Sequence, residues 1–93
     1  MNVIRKYMKF FGNVQGVGFR YRAQKSASLY DVTGWVRNNY DGSVEMGAQG
    51  TEEQIDKMIE LIKQGSFIQI DEIEEETIPL RDDESGFNIK DYY

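Results

Sequence analysis

The chain has 93 residues, with 16 acidic and 11 basic side chains, no cysteine and no histidine. A length of this order corresponds to one domain, so we expect residues 1–93 to fold as a single unit. Without cysteine there are no disulfides, thiolate nucleophiles or cysteine-ligated metals, and without histidine the commonest acid–base group at neutral pH is missing. The composition therefore excludes serine-triad and cysteine–histidine catalysis in their usual form.

The net charge of −5 is distributed unevenly along the chain. Residues 1–40 carry a net charge of +6 and residues 41–93 carry −11. This pattern is typical either of separate solvated faces or of a basic half that binds an anion, and charge alone favours the first. Residues 1–6 lack the apolar core of a signal peptide, and no apolar run is long enough to span a membrane. We therefore expect a cytoplasmic protein that does not contact a membrane.

The first predicted elements are a strand and a short helix separated by a glycine-rich segment. Residues 5–12 alternate with apolar residues on both faces and predict an interior strand. Residues 13–20 break this alternation. In residues 21–30, Ala23 and Ala27 lie four positions apart and indicate a short helix.

A hairpin is predicted next. Residues 32–37 and 43–49 both alternate as strands do, and the dipeptide Asp41-Gly42 between them is a strong turn signal.

The second helix has the clearest pattern in the sequence. Thr51 and Gln54 have the spacing of a capping box, which predicts the start of the helix. Gly65 is expected to end it in a left-handed conformation. The apolar stripe between them consists of Ile55, Met58, Ile59 and Ile62.

The last part of the chain predicts two more strands. Residues 68–78 alternate except between Ile70 and Ile73, where a bulge or a late strand start is expected. Residues 81–86 read as an exposed polar loop, and residues 86–91 as a short final strand. The acidic residues of both segments, 74–76 and 82–84, are interpreted as solvated rather than metal-binding, because successive strand side chains point to opposite faces.

The order of elements, β-α-β-β-α-β with a short fifth strand, is the split βαβ pattern of ferredoxin-like α+β folds. We expect a two-layer sandwich with both helices packed on one face of a mostly antiparallel sheet, leaving the other face more exposed.

The strongest chemical signal lies between the first strand and the first helix. Gly12, Gly16 and Gly18 allow unusual dihedral angles, and the segment leads into a helix N-terminus, which favours an anion. Arg20 stands at that terminus, and its planar guanidinium matches two oxygens of a phosphate or carboxylate. The segment is neither a dinucleotide-binding nor a Walker A loop. It predicts a phosphate cradle, the alternative being a glycine-rich turn beside a solvated arginine.

Three motifs give the sequence a resemblance to a known family. GNVQGVGFR covers residues 12–20, GWVRN covers residues 34–38 and DGSV covers residues 41–44. With these spacings, the sequence resembles the acylphosphatase family over nearly its whole length.

The resemblance implies hydrolysis of acyl phosphates, the mixed anhydrides of carboxylic and phosphoric acids, to carboxylate and inorganic phosphate. It implies no metal, no cofactor and no covalent enzyme intermediate. The family's phosphate-binding arginine falls on Arg20 and its water-positioning asparagine on Asn38. Its loop of backbone N–H donors falls on Gln15, Gly16, Val17, Gly18 and Phe19.

This chemistry suits the residues present. A carboxylate leaves without a strong general acid, so positioning and electrostatic stabilisation carry most of the catalysis. Asn38 has an acceptor and a donor on one short arm, which suits holding a water in line with the leaving group. Asn is a poor base, so we expect a phosphate oxygen of the substrate to take the proton. Apart from the resemblance, a turn-forming role is the favoured explanation of Asn38.

Two other functions stay open at this point. A nucleic-acid-binding module of the same fold class is supported by the basic first half but disfavoured by the net charge and by the lack of an intact aromatic RNA-binding signature. A module handling carbamoyl phosphate, as in larger hydrogenase-maturation proteins, is the other, although the length favours a free enzyme. We therefore expect a monomer that takes a small acyl phosphate, releases or is inhibited by phosphate, and binds no nucleic acid.

Overall fold

The computed structural model describes residues 2–92. In these residues five strands form one sheet, in the order β4-β1-β3-β2-β5. The strands are β1 (Val3–Asn13), β2 (Thr33–Asn38), β3 (Val44–Thr51), β4 (Gln69–Ile78) and β5 (Phe87–Ile89), and the helices are α1 (Phe19–Leu29) and α2 (Glu52–Lys63). Strand β5 is parallel to β2, and the other neighbours are antiparallel. The predicted ferredoxin-like α+β fold is confirmed, and α1 begins two residues earlier than predicted.

The core lies between the helices and one face of the sheet. Alternation along each strand sends the apolar side chains to that face. Ala23 and Ala27 of α1 pack there with no exposed surface, as their spacing predicted. The buried apolar side chains that the strands contribute to the core are Met8, Phe10, Val36, Val44, Met46, Ala48 and Phe87.

Helix α2 begins as predicted but ends differently. Thr51 and Gln54 form both hydrogen bonds of the capping box, and the predicted apolar stripe is buried. Gly65 does not adopt a left-handed conformation. A Cβ at Gly65 would lie 2.7 Å from Cδ1 of Ile68 and 3.0 Å from Cδ of Arg22. Close packing against these two side chains, rather than a special φ, therefore favours glycine at this position.

The break in alternation in β4 is a bulge. Phe11 pairs with Glu72 and the next residue of β1, Gly12, pairs with Ile70, so Asp71 is an extra residue on β4. Gly12 has φ +132°, and a Cβ there would collide with the backbone carbonyl of Gln69. The glycine that opens the predicted phosphate segment is thus required by the close approach of two strands.

The connection from β4 to β5 corrects one prediction. Glu84 was expected to be solvated, but its side chain is 7% exposed and accepts hydrogen bonds of 2.8 and 3.0 Å from Arg5, which is 1% exposed. Burial raises the pKa of Glu84, but the hydrogen bonds and positive charge of Arg5 outweigh it and leave the pKa below its usual value. This ion pair ties the connection to the sheet face opposite the helices and buries Arg5 there.

No helix within residues 2–92 is long and apolar enough to cross a membrane.

Candidate active site

Residues 14–18 turn the chain from β1 into α1. Gly16 and Gly18 have φ values of +73° and +81°, in the left-handed region that glycine adopts without strain. A Cβ at either position would meet open space, so the conformation alone requires glycine. Val14 is 1% exposed and anchors this turn in the core.

The turn and the start of α1 present unused backbone donors. Gly18 is the N-cap of α1 and provides no side-chain cap, and the first turn of the helix has no acidic residue. The hydrogen bonds found within residues 2–92 include none donated by the backbone N–H groups of residues 15–18. These groups, together with the positive end of the helix dipole, favour binding of an anion.

Arg20 lies in the first turn of α1. Among the ion pairs of residues 2–92, none involves its guanidinium. The guanidinium carbon lies 5.8 Å from the centre of the Tyr92 ring. Its fork of N–H donors is therefore available to the two oxygens of a phosphate.

The other basic residues of the first half have partners. Lys9 pairs with Asp41 at 3.2 Å and Arg37 pairs with Glu45 at 2.9 Å. Arg22 donates from Nε to the carbonyl of Leu61 at 2.7 Å.

Glu45 of β3 lies on the sheet face opposite the helices, where its carboxylate accepts hydrogen bonds from Tyr7 and Arg37. Burial raises the pKa of Glu45, but hydrogen bonds from Tyr7 and Arg37 outweigh it and leave the pKa below its usual value. Burial and the same hydrogen bond raise the pKa of Tyr7. Glu45 therefore stays ionised and Tyr7 stays a donor at neutral pH, and the pair offsets the charge of Arg37.

Asn38 is the last residue of β2 and is 2% exposed. Its Nδ2 donates a hydrogen bond of 3.2 Å to Oη of Tyr92. Its Oδ1 is buried and has no hydrogen-bond donor among the described residues. Because a buried oxygen without a donor is costly, this atom is a ready acceptor for a water or a ligand.

Arg20 and Asn38 line one pocket of about 250 Å³. Of the five predicted loop residues, Gly16, Gly18 and Phe19 also line it. The Phe19 side chain packs in the core, with its ring centre 5.0 Å from that of Phe10, so only its backbone could serve as a donor to an anion. Gln15 and Val17 lie outside the lining.

Gln15 has a role that the sequence did not predict. Its side-chain Nε2 donates to the carbonyls of Asn39 and Ser43 at 2.7 and 2.9 Å. The side chain therefore joins the glycine-rich turn to the β2–β3 hairpin, which carries Asn38. The sequence had predicted only a backbone role for this residue.

Tyr92 is the site residue that sequence analysis missed. Its hydroxyl accepts from Asn38 and donates to Oε1 of Gln15 at 3.4 Å. Its ring pairs with that of Tyr40 at 5.4 Å between ring centres. Tyr92 lies 54 and 77 positions from its two hydrogen-bond partners, so no local pattern could have indicated these contacts.

The fold is a small α+β sandwich, and its pocket combines the N-terminus of α1 with an arginine, an arrangement that favours an anion. The acylphosphatase family model matches residues 6–89. An acylphosphatase of Clostridium acetobutylicum is 42% identical over 86 residues, which are 91% of this chain and 94% of that protein. The crystal structure of acylphosphatase from Bacillus subtilis has a TM-score of 0.85 and 33% identity, and the match covers 94% of this chain and 98% of that one. The chain belongs to the acylphosphatase family, and the predicted family, fold and hydrolase class are confirmed.

The same fold also occurs within a larger protein. The crystal structure of full-length HypF, in a phosphate- and nucleotide-bound form, has a TM-score of 0.85 and 30% identity to this chain. The match covers 98% of this chain and 12% of HypF.

Proposed function

We propose that this acylphosphatase hydrolyses acyl phosphates by the roles that its pocket residues suggest. Backbone N–H groups of residues 15–19 and the guanidinium of Arg20 bind the phosphoryl oxygens, and Asn38 positions the attacking water. The observation that carries this proposal is that Arg20 and Asn38 line one small pocket, and that Oδ1 of Asn38 has no hydrogen-bond donor within residues 2–92.

The phosphoryl group is stabilised by fixed donors. The three phosphoryl oxygens carry negative charge through the transition state, and donors that already point at those oxygens cost no reorganisation. The left-handed conformation of Gly16 and Gly18 sets the direction of the N–H groups before substrate arrives. The start of α1 has no side-chain cap that would occupy them.

The water attacks phosphorus on the side opposite the acyl oxygen. Its oxygen forms the new bond to phosphorus, the bond from phosphorus to the acyl oxygen breaks, and the carboxylate leaves with the electron pair. Oδ1 of Asn38 accepts one hydrogen of the water and thereby orients it, and a phosphate oxygen of the substrate takes the proton. No step in this scheme needs a metal ion or a cofactor.

We further propose that residues 1–93 act as one domain, as a cytoplasmic monomer that binds neither nucleic acid nor membranes. A net charge of −5 disfavours binding to phosphate backbones, which supports the exclusion of nucleic acid. Light scattering coupled to size exclusion tests the monomer, and cell fractionation tests the location.

Carbamoyl phosphate, the alternative raised from the sequence, is the second candidate substrate, and the occurrence of the same fold as a small part of a larger phosphate- and nucleotide-bound protein, HypF, keeps it a candidate. Comparison of kcat/KM for carbamoyl phosphate and for benzoyl phosphate distinguishes the two. A large preference for carbamoyl phosphate would favour the second candidate.

The experiment that tests the proposal is hydrolysis of benzoyl phosphate by the purified chain, followed as release of benzoate and phosphate. We expect turnover, competitive inhibition by inorganic phosphate, and full activity in EDTA. A folded sample without turnover would contradict the proposal, and a loss in EDTA that a divalent metal restores would contradict its metal-free scheme.

A further inference from the structure

We propose that Tyr92 is a positioning residue that fixes which end of the Asn38 carboxamide faces the substrate pocket. This inference rests on the proposed function and adds a residue to it. A carboxamide has a carbonyl oxygen that accepts and an NH₂ group that donates, so a rotation of half a turn exchanges the two. Only the oxygen can accept a hydrogen from the attacking water.

The orientation of the network is set at Gln15. Its Nε2 lies 2.7 Å from the carbonyl oxygen of Asn39 and 2.9 Å from that of Ser43. Backbone carbonyls can only accept hydrogen bonds, so the NH₂ end of Gln15 has to point at them. The opposite end, Oε1, is therefore an acceptor and faces Tyr92.

Tyr92 transmits this orientation to Asn38. The tyrosine hydroxyl has one hydrogen, which it donates to Oε1 of Gln15 at 3.4 Å. Towards Asn38 the hydroxyl can then only accept, and it lies 3.2 Å from Nδ2. Since Nδ2 is directed at Tyr92, Oδ1 is directed away from it. Oδ1 is also one of the two buried side-chain atoms that have no hydrogen-bond partner within residues 2–92, the other being Oδ1 of Asn39.

The Tyr92 ring is held by contacts that do not involve the hydroxyl. The ring pairs with that of Tyr40 and lies beside the guanidinium of Arg20. Two residues earlier, the N–H of Lys90 donates to the carbonyl of Val36 at 2.8 Å and holds this part of the chain against β2. Removal of the hydroxyl alone therefore leaves the ring in place and frees the Asn38 carboxamide to rotate.

The test is Tyr92→Phe in the benzoyl phosphate assay, with Tyr40→Phe as the matched control. Tyr40 belongs to the same ring pair and is 83% exposed, so loss of its hydroxyl should leave kcat and KM unchanged. For Tyr92→Phe we expect kcat to fall about five- to tenfold, the loss expected for one neutral hydrogen bond. KM and the inhibition constant of phosphate should stay the same, because the phosphate donors are untouched.

A merely structural role for Tyr92 is tested by repeating the substitution in an Asn38→Ala background. If Tyr92 acts through Asn38, Tyr92→Phe has no further effect once the carboxamide is absent. An equal loss of kcat in both backgrounds, an unchanged kcat in the single variant, or a rise in KM alone would overturn the inference. A wild-type chain that releases no phosphate would overturn the proposed function as well, whereas an active wild type that is insensitive to Tyr92→Phe overturns only this inference.

Discussion

Replacement of Glu84 by Gln is expected to destabilise the fold far more than its position in a polar loop suggests. Glu84 and Arg5 are 7% and 1% exposed and are joined by two hydrogen bonds of 2.8 and 3.0 Å. Gln keeps the size of the side chain and one acceptor oxygen, but it leaves the buried guanidinium without a counter-charge. Gln49, whose Oε1 lies 3.3 Å from Nη1 of Arg5, is neutral and cannot replace that charge.

The expected loss in free energy of unfolding follows from this burial. Removing one partner of a buried ion pair typically costs about 3–5 kcal/mol, and we expect about 3 kcal/mol because Gln keeps one hydrogen bond. For a domain of this size that corresponds to a fall in Tm of about 12–24 °C. Residues 79–86 connect β4 to β5, and β5 carries the chain on towards Tyr92, so the pair also supports the site.

Urea unfolding followed by circular dichroism measures this loss. The matched control is Asp83→Asn, which removes the neighbouring carboxylate. Asp83 forms an ion pair with Arg81, and the two side chains are 69% and 47% exposed, respectively. Exposed pairs contribute about 0–1 kcal/mol, so the control should change little. Arg5→Met added to Glu84→Gln should recover much of the loss, because the unpaired buried charge is removed. A Glu84→Gln loss no larger than that of Asp83→Asn would refute the reasoning.

Three more predictions concern the site and its hairpin. Arg20→Lys should lower kcat/KM for benzoyl phosphate by about 100-fold, since an ammonium cannot reproduce the guanidinium fork. The control Arg22→Lys, on the same helix, should stay near wild type. If the Arg20→Lys variant were as active as that control, Arg20 would have no part in the mechanism. Asn38→Ala should lower kcat by about 100-fold while the inhibition constant of phosphate hardly changes, whereas a pure KM effect would mean that Asn38 only binds substrate. Hydrogen bonds from Ser43 and the nearby Lys9 lower the pKa of Asp41 from 3.8 to about 2. Because the folded pKa is the lower one, the stability advantage of wild type over Asp41→Asn should be full above pH 3.8 and disappear as pH falls through about 2, as urea unfolding across this range would show.

Local patterns predicted the parts of the fold that local interactions determine. The Thr51–Gln54 capping box involves residues three positions apart, and the break between Ile70 and Ile73 shows in the alternation itself. The contacts missed are those between residues distant in sequence. Glu84 pairs with a residue 79 positions away, so its burial could not be inferred from the polar residues around it.

The candidate site shows the same division. The glycine-rich turn, Arg20 and Asn38 could be predicted because their motifs are continuous in sequence. The side-chain contacts of Gln15 and Tyr92 could not, because they arise only when the hairpin and the end of the chain meet. Gly65 was predicted for the wrong reason, since a glycine that ends a helix and a glycine that permits close packing look alike in sequence.

Hydrolysis of benzoyl phosphate in ¹⁸O-labelled water tests the central claim most directly, namely that water attacks the phosphorus of the acyl phosphate. Mass spectrometry of the two products shows which bond the water has broken. The proposed mechanism predicts one labelled oxygen in the released phosphate and none in the benzoate. Label in the benzoate would place the attack on the carbonyl carbon and contradict the account.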